Sequence, residues 1–450
     1  MNANFVSEHR SGADLIVETL RKNGYIAYFA GGFVRDILLE VTEKGDIDIA
    51  TNAKPQTIAR LFPTTIDVGE QFGVMVVVLN GYNYEVATFR SDIGIYDGRH
   101  PSKVVFTDAQ TDALRRDFTI NGMFYDPQTN EIIDFVNGIN DCRNRVIRAI
   151  GDPRLRFRED YLRMLRAIRF SSRFSFPIEQ HTWNAICESA SHIVEISPER
   201  IFAEINRMLC GPNPDKAIDL LDKSGMLRIV LPEVSSLSGV EQPPEFHPEG
   251  DVFVHTLKAL HNLNKSPSGI LAWSTLLHDI GKPPTITYAK DRIRFNNHDR
   301  VGAEMAVDVL KRLKASNAVV EGVEACISNH MNFMNVTKMR LSNLKKFLAR
   351  PTLQDELELH RVDCLASHGD ISNCTFIEEQ LLKHPAETIK PPPVLTGKDL
   401  IALGLKPGPK FGKILSAVYD LQLEEQIRDK EGAIAFVKDH LDKEWNDENE

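Results

Sequence analysis

The sequence predicts an α+β protein: a head with a mixed sheet and helices, followed by a chain that is helical to its end. Three observations carry this. Short apolar or alternating runs interleave with helical stretches up to about residue 150. From about residue 154 strand signals vanish and amphipathic helices succeed one another. The chain has 450 residues, too many for a single core, which sets a prior of two to four domains. Divisions are expected at 1–150, 151–240, 241–385 and 386–450.

Residues 11–23 place Leu15, Ile16 and Leu20 on helical spacing. "YIAYFAGG" predicts a strand ending in a tight turn, "FVRDILLEV" a helix, and "DIDIAT" a strand. "KPQTIARLF" is helical; "TTIDVG", "GVMVVVL" and "YNYEVATFR" are strands, the second a buried one. "SDIGIYDGRHPSK" is glycine-rich and polar and predicts a mobile loop. "ALRRDFTINGMFYD" starts as a helix and "NEIIDFV" is a strand. Beyond 154, "EDYLRMLRAIRFSSRF", "IEQHTWNAICESA", "SPERIFAEINRML" and "PDKAIDLLDKSGM" are helices. In "SPER", Ser197 is the expected N-cap, Pro198 the first helical residue and Glu199 the capping-box glutamate. "SGVEQPPEFHPEG" separates a second helical block, and "HPAETIKPPPV" is a linker to a small helical tail.

Composition is that of an ordinary globular chain, 42% hydrophobic and 26% charged. No apolar run approaches the length of a membrane span, and the N-terminal stretch lacks the apolar core of a signal peptide. The six cysteines form no CxxC pair, which suits a reducing compartment; a cytoplasmic protein is expected. The net charge of −10 argues mildly against nucleic-acid binding, but its distribution does not. Ten arginines between 143 and 173 face only Asp152, Glu159 and Asp160, and such a patch binds phosphates whatever the global sign.

Asp46 and Asp48 are separated by one residue. On a strand they point the same way, about 7 Å apart at twice the per-residue rise, with Ile47 and Ile49 on the other face. Like charges so placed suit a pair of divalent cations, the arrangement that serves nucleotidyl transfer. Gly31 and Gly32 allow the backbone to approach phosphate oxygens, and Arg35 follows at a helix start. "GGFVRD…DIDIAT", "RRDFTINGM", "REDYLRMLRAIRF" and "PERIFAEINRML", in this order over about residues 25–225, resemble the class II tRNA CCA-adding enzymes and bacterial poly(A) polymerases, in the HD-domain-bearing branch. The resemblance implies a polymerase-β-type nucleotidyltransferase head, with Asp46 and Asp48 holding Mg²⁺. It implies a third carboxylate from a neighbouring strand, for which Glu85 is the candidate and Asp117 the competitor. Gly32, Arg35, Arg116 and Asn121 would face the nucleotide.

Asp160 and Arg163 lie three apart and are expected to share a helix face, with Arg166 and Arg169 continuing the stripe. A carboxylate beside a guanidinium accepts the amine and ring nitrogen of cytosine or adenine and rejects uracil and guanine, whose pattern is reversed. By the resemblance Glu159, Asp160 and Arg163 match the family's EDxxR motif, and Arg166 and Arg169 help grip base or triphosphate. CTP, ATP and tRNA are the implied partners. "TFRSDIGIYDGRHPSKV" resembles the flexible loop of CCA-adding rather than A-adding enzymes; poly(A) polymerase remains the sister alternative.

Eight of the fourteen histidines fall between 247 and 368. His278 and Asp279, with His255 and Asp363, match the HD-domain pattern. Imidazole with carboxylate suits Ni, Mn, Fe or Mg better than structural zinc. His298 and His330 are candidates for a second ion, and Lys282 for a phosphate contact. The resemblance implies phosphohydrolase activity on 2′,3′-cyclic phosphates or 2′-nucleotides. A hydrolase whose head only senses nucleotide is the second alternative. In the tail, the lysines around "GPKFG" suit tRNA phosphates.

Overall fold

The protein is described by a computed structural model that covers residues 3–41, 46–69, 72–95, 101–243, 250–290 and 292–441. It divides into two compact units, Met1–Ser235 and Ser236–Glu450.

The first unit opens with α1 (Ala3–Lys22), β1 (Ala27–Ala30), α2 (Gly32–Leu38), β2 (Asp48–Thr51) and α3 (Pro55–Leu61). Next come β3 (Thr65–Gly69), β4 (Val74–Leu79), β5 (Tyr82–Thr88), β6 (Arg90–Ile95) and β7 (Pro101–Phe106). The head is completed by α4 (Ala109–Leu114), β8 (Met123–Asp126), β9 (Glu131–Asp134) and α5 (Gly138–Asn144). Seven strands form one sheet in the order β3-β4-β5-β2-β1-β8-β9. Only β2 and β5 run parallel, which makes the sheet mixed. Ile16, Val17 and Leu20 of α1 pack with Phe29, Ile49, Val77 and Val86 on one face. Fully burying such side chains contributes roughly 1.5–3 kcal/mol each. The other face carries Ala30, Ala50 and Ala87, whose small side chains leave a floor open beneath a cavity.

Two expectations need correction here. "GVMVVVL" is not buried throughout: in β4 Met75 and Val77 face the core while the residues between are partly exposed. The stretch expected as a loop, 91–103, contributes instead to an antiparallel hairpin of β6 and β7. Ile93 and Ile95 on one side and Val104 and Val105 on the other supply the β-branched residues that a glycine count overlooks. Residues 96–100 lie outside the described residues.

After the head come α6 (Pro153–Glu159), α7 (Leu162–Phe174), α8 (Gln180–Ser189), α9 (Pro198–Leu209) and α10 (Pro214–Lys223). Met164, Leu165, Ala167 and Ile168 form the buried stripe of α7, and the arginines occupy the adjacent one. Ser197 is the N-cap of α9 and Pro198 its first residue, but Ser197 makes no side-chain cap bond. The third helical position holds Arg200, not Glu199.

In the second unit, helices Val252–His261, Gly269–Leu277, His298–Arg312, Asn317–Asn329 and Leu353–Ala366 surround a histidine cluster. A hairpin of β10 (Ile286–Tyr288) and β11 (Ile293–Phe295) precedes His298. A small apolar cluster that includes Leu400, Ile414, Val418 and Val437 closes the C-terminal part. No helix among the described residues is long and apolar enough to cross a membrane.

Candidate active site

In the head, β1 ends at Ala30 and the chain turns through Gly31 at φ +65°. That left-handed conformation favours glycine, and a Cβ there would sit 3.6 Å from Asp48 Oδ2 and 3.5 Å from Arg116 Nη1. Gly32 then starts α2. Asp48 opens β2, and the register Ile49↔Val86 sets it beside Glu85 of the parallel strand β5. Asp46 does not share the strand with Asp48 as expected: it lies in the exposed lead-in, and β2 begins two residues later. Burial pushes the Asp48 carboxyl up to about 6, helped by the charges of Glu85 and Asp46 and opposed by Arg116. The three carboxylates therefore feel one another. They do not, however, bring oxygens within 4.8 Å of one another, as two groups in the second unit do.

Asp48 and Glu85, but not Asp46, line a cavity of about 510 Å³ with Gly32, Arg35, Arg116, Asn121, Asp160, Arg163, Arg166, Arg169 and Arg200. Asp112, buried, is the hub of one wall. Its Oδ1 accepts from Arg115 Nε at 2.9 Å and the Arg90 amide at 3.2 Å; its Oδ2 accepts from Arg116 at 3.0 and 3.2 Å. Arg116 also lies over Phe124, with 4.9 Å from Cζ to the ring centre. Arg35 is buried over Phe174, pairs with Asp36 at 2.7 Å and donates to Asn121 Oδ1 at 2.6 Å. Its role in α2 is therefore to fix Asn121 as much as to meet an anion.

Asp117 behaves differently from Glu85. It is buried, receives both Arg166 nitrogens at 2.6 and 2.8 Å and Asn121 Nδ2 at 3.2 Å. Burial alone would raise its carboxyl, but Arg166 outweighs this and holds it down at about 2. A carboxylate so satisfied organises its neighbours and has little left to offer a cation. Arg169 is likewise held, by buried Glu204 at 2.6 Å.

The expected helix-face pair of Asp160 and Arg163 is corrected by a break between α6 and α7. Asp160 sits in it with extended φ −158° and ψ 104°, accepting the Leu162 amide at 3.0 Å. Its other oxygen accepts from Arg200 at 2.6 Å. Arg163 pairs with Glu159 at 2.5 Å and donates to the carbonyls of Arg156 and Arg115. The two side chains face the same cavity without bonding each other. Arg200, Asp112 and Glu204 were not foreseen. The only trace of Asp112 and Glu204 in the sequence is that ten arginines with three nearby acids require remote counter-charges; Arg200 leaves none.

In the second unit His255, His278, Asp279, His298 and His330 are buried together. His278, His298 and His330 each meet a backbone carbonyl through Nδ1, at 2.9, 2.8 and 2.6 Å. This fixes Nδ1 as the protonated nitrogen and turns the Nε2 lone pair inward, the arrangement of metal-binding histidines. Asp279 Oδ2 lies 3.2 Å from His278 Nε2 and 3.8 Å from His255 Nε2; Oδ1 lies 3.8 Å from His298 Nε2. Two ligand groups result, His255–His278–Asp279 and Asp279–His298–His330, sharing Asp279. Asp363 approaches His255 at 3.0 Å. Burial and the neighbouring His298 and His278 lower the His330 imidazole to about 4, so it is neutral at pH 7. Lys282 bonds Asp279 at 2.7 Å and Gln242 at 2.6 Å. His247, part of the same sequence pattern, lies outside the described residues.

Comparison with known proteins fits this geometry. The Poly A polymerase head domain family matches residues 27–148. The family described as the probable RNA and SrmB-binding site of polymerase A matches 175–237, and the HD domain family matches 253–366. A CCA-adding enzyme of Lactococcus lactis subsp. lactis is 33% identical over 436 residues, 95% of this chain and 96% of that one. One from Geobacillus sp. is 46% identical over 212 residues, 47% of this chain and 52% of the relative. The crystal structure of the Bacillus stearothermophilus CCA-adding enzyme in complex with CTP superposes with a TM-score of 0.74 at 27% identity, over 99% and 100% of the two chains. The Thermotoga maritima CCA-adding enzyme complexed with tRNA, at 19% identity and a TM-score of 0.57, shares the fold. The chain belongs to the family of CCA-adding enzymes, the tRNA nucleotidyltransferases.

Proposed function

We propose that this chain adds CCA to the 3′ end of tRNA, with CTP and ATP as donors and no nucleic-acid template. The observation that carries the reading is one cavity lined by Asp48 and Glu85 together with Arg116, Asp160, Arg163, Arg166 and Arg169. The tRNA 3′-hydroxyl attacks the α-phosphate in line and pyrophosphate leaves. Asp46, Asp48 and Glu85 offer only oxygen, are partly open, and carry a repulsion that a cation relieves. They fit a hard ion that shares its shell with phosphate and water, and Mg²⁺ is the ion proposed. Bound there, such an ion supplies Lewis acidity and neutralises phosphate charge. Glu85 is the third carboxylate; Asp117, already paired, is a positioning residue.

Gly31 and Gly32 keep the floor clear of side chains, Arg116 meets the triphosphate, and Asn121 is held for the sugar or phosphate by Arg35 and Asp117. Selection of the base falls to Asp160 and Arg163. Asp160 uses two acceptor positions on Arg200 and Leu162, and a carboxylate has about four. Arg163 keeps donors in its five-N–H fork beyond those given to Glu159 and the carbonyls. The carboxylate accepts the exocyclic amine and the guanidinium donates to the unprotonated ring nitrogen, which admits C and A. Holding reactants and charges in place supplies most of the rate. The helices after residue 150 and the C-terminal lysines are assigned to tRNA, and the cytoplasm is the proposed compartment. Incubating tRNA lacking CCA with each NTP and Mg²⁺, then sequencing the 3′ ends, tests the reading. Exact CCA ends support it, whereas long A tails on generic RNA would favour a poly(A) polymerase.

A second activity is favoured by the buried cluster. Three imidazoles with fixed tautomers and a shared Asp279 suit a pair of divalent transition ions, which would supply a nucleophile from water and Lewis acidity. His255, His278, Asp279, His298, His330 and Asp363 hold them, and phosphoester hydrolysis is the proposed chemistry. Release of phosphate, or opening of a cyclic phosphate, on addition of Ni²⁺ or Mn²⁺ tests it.

A further inference from the structure

We infer that Phe170 is a positioning residue for the incoming nucleotide: its ring holds the guanidiniums of Arg166 and Arg169 at the angle from which they meet the triphosphate. The inference rests on the transferase reading above. Phe170 lies on α7, is buried, and lines the cavity of the head. Three guanidinium carbons lie over its ring, Arg169 Cζ at 4.3 Å from the centroid and those of Arg166 and Arg35 at 5.4 Å each. All three fall within the distance, about 6 Å, at which the negative face of a ring attracts a cation. All three arginines line the same cavity. The ring is set in turn by Phe118, at 79° with centroids 5.8 Å apart, and by Phe174, nearly parallel at 6.4 Å.

Carboxylates alone leave these cations loosely aimed. Asp117 Oδ2 takes Nε and Nη2 of Arg166 at 2.8 and 2.6 Å, and Glu204 takes Nε of Arg169 at 2.6 Å. Each contact is a hinge on a single oxygen, about which the guanidinium plane can turn. An aromatic face stops that turn, because guanidiniums stack on it. The nitrogens left over, Nη1 of Arg166 and both Nη of Arg169, are then fixed in direction. Arg35 shares the ring but has fewer donors to give, since Asp36 and Asn121 take its nitrogens. Cations converging on one ring also repel one another. Burial lowers the Arg169 guanidinium, and the charge of Arg166 adds to this against Glu204. The ring offsets part of the repulsion, and the phosphates of the nucleotide relieve the rest. Phosphates are common to CTP and ATP, so the ring acts on grip and not on the choice of base.

The test follows nucleotide addition by the full chain with Mg²⁺, on tRNA lacking CCA with CTP and on tRNA ending in CC with ATP. Phe170→Leu should raise KM for CTP and for ATP by the same factor, at least about fivefold, with kcat changed less than about twofold. KM for tRNA and the rejection of UTP and GTP should stay within about twofold of wild type. Replacing Phe170 by a phenylalanine trifluorinated on its ring keeps shape and apolar packing but removes the negative face, so it should raise both nucleotide KM values as leucine does. That chain carries the test if Phe170→Leu fails to fold. A fluorinated chain with wild-type KM values would overturn the inference, because the ring then acts by bulk alone. So would losses that fall equally on kcat and on KM for tRNA, or a KM change confined to one nucleotide. In each of these cases wild type still adds CCA, and the transferase reading stands. Wild type that adds no nucleotide would overturn both.

Discussion

On the proposed function, the head cleft and the histidine cluster meet the same demand, holding divalent cations, with opposite materials. In the head the carboxylates are exposed or half-exposed, drawn from a strand edge and its lead-in, and too far apart to form a compact ligand group. In the second unit the ligands are buried, and three of the imidazoles are oriented by backbone carbonyls. A site that uses few protein ligands takes the rest of its shell from substrate phosphates, so its ion comes and goes with each nucleotide. A buried site with pre-oriented imidazoles keeps its ions between turnovers. The proposed contrast ties a transient metal to exposed carboxylates and a resident one to buried, pre-oriented imidazoles.

Substitutions in each site test that contrast. The largest effect is expected in the head. Asp48→Ala should lower nucleotide incorporation by at least about 10³-fold, as loss of charge stabilisation in transfer chemistry does, with tRNA binding little changed. Asp46→Ala should act the same way, and normal turnover by either variant contradicts the assignment. Next, His330→Ala should weaken metal retention in the second unit by about 10–100-fold. Elemental analysis after buffer exchange checks this, and CCA addition in excess Mg²⁺ should be unaffected. If wild type emerges from buffer exchange with no metal in that unit, the resident half of the comparison is wrong.

A smaller effect concerns stability. Asp117 has a folded-state carboxyl at about 2 against an ordinary 3.8, nearly two units. The depressed value stabilises the folded chain by roughly 2 kcal/mol above pH 4, a contribution lost as pH falls toward 2. Asp117→Asn should therefore unfold more easily by about that amount at pH 7, and the gap to wild type should close in acid. Denaturant titrations across pH read it directly; a constant gap would show that Arg166 contributes through shape instead of charge. The smallest effect is at Arg200. Arg200→Met should raise misincorporation of UTP and GTP about fivefold by loosening Asp160, equivalent to roughly 1 kcal/mol of lost discrimination. Arg200→Lys should recover part of it. Selectivity unchanged in Arg200→Met would remove Arg200 from the base-selecting group.

Much of this architecture is legible from residue types alone. The strands around Ala30, Ile49 and Val86 follow from apolar periodicity and Asp48 from the spaced acidic pair, whereas Glu85 comes into view only through the family resemblance. The buried histidines stand out because His278–Asp279 recurs with distant histidines in order. Other features leave no local trace. The apolar pattern runs unbroken from α6 into α7, so the break that takes Asp160 off the helix is invisible to periodicity. Arg200 stands forty residues from Asp160 in sequence, and only the fold makes them partners. The pairing of β6 with β7 escapes a reading weighted toward the glycine and polar residues of this stretch.

The Arg115 carbonyl accepts from both Arg156, at 3.1 Å, and Arg163, at 3.4 Å, while the Arg115 and Arg116 side chains share Asp112. The residues proposed for donor grip and for base choice are thus fastened to one short stretch of backbone. A drifting lineage cannot retune one without disturbing the other. Viable changes in this pocket must arrive in compensating sets, and single swaps borrowed from a distant relative should misbehave in ways that neither parent displays.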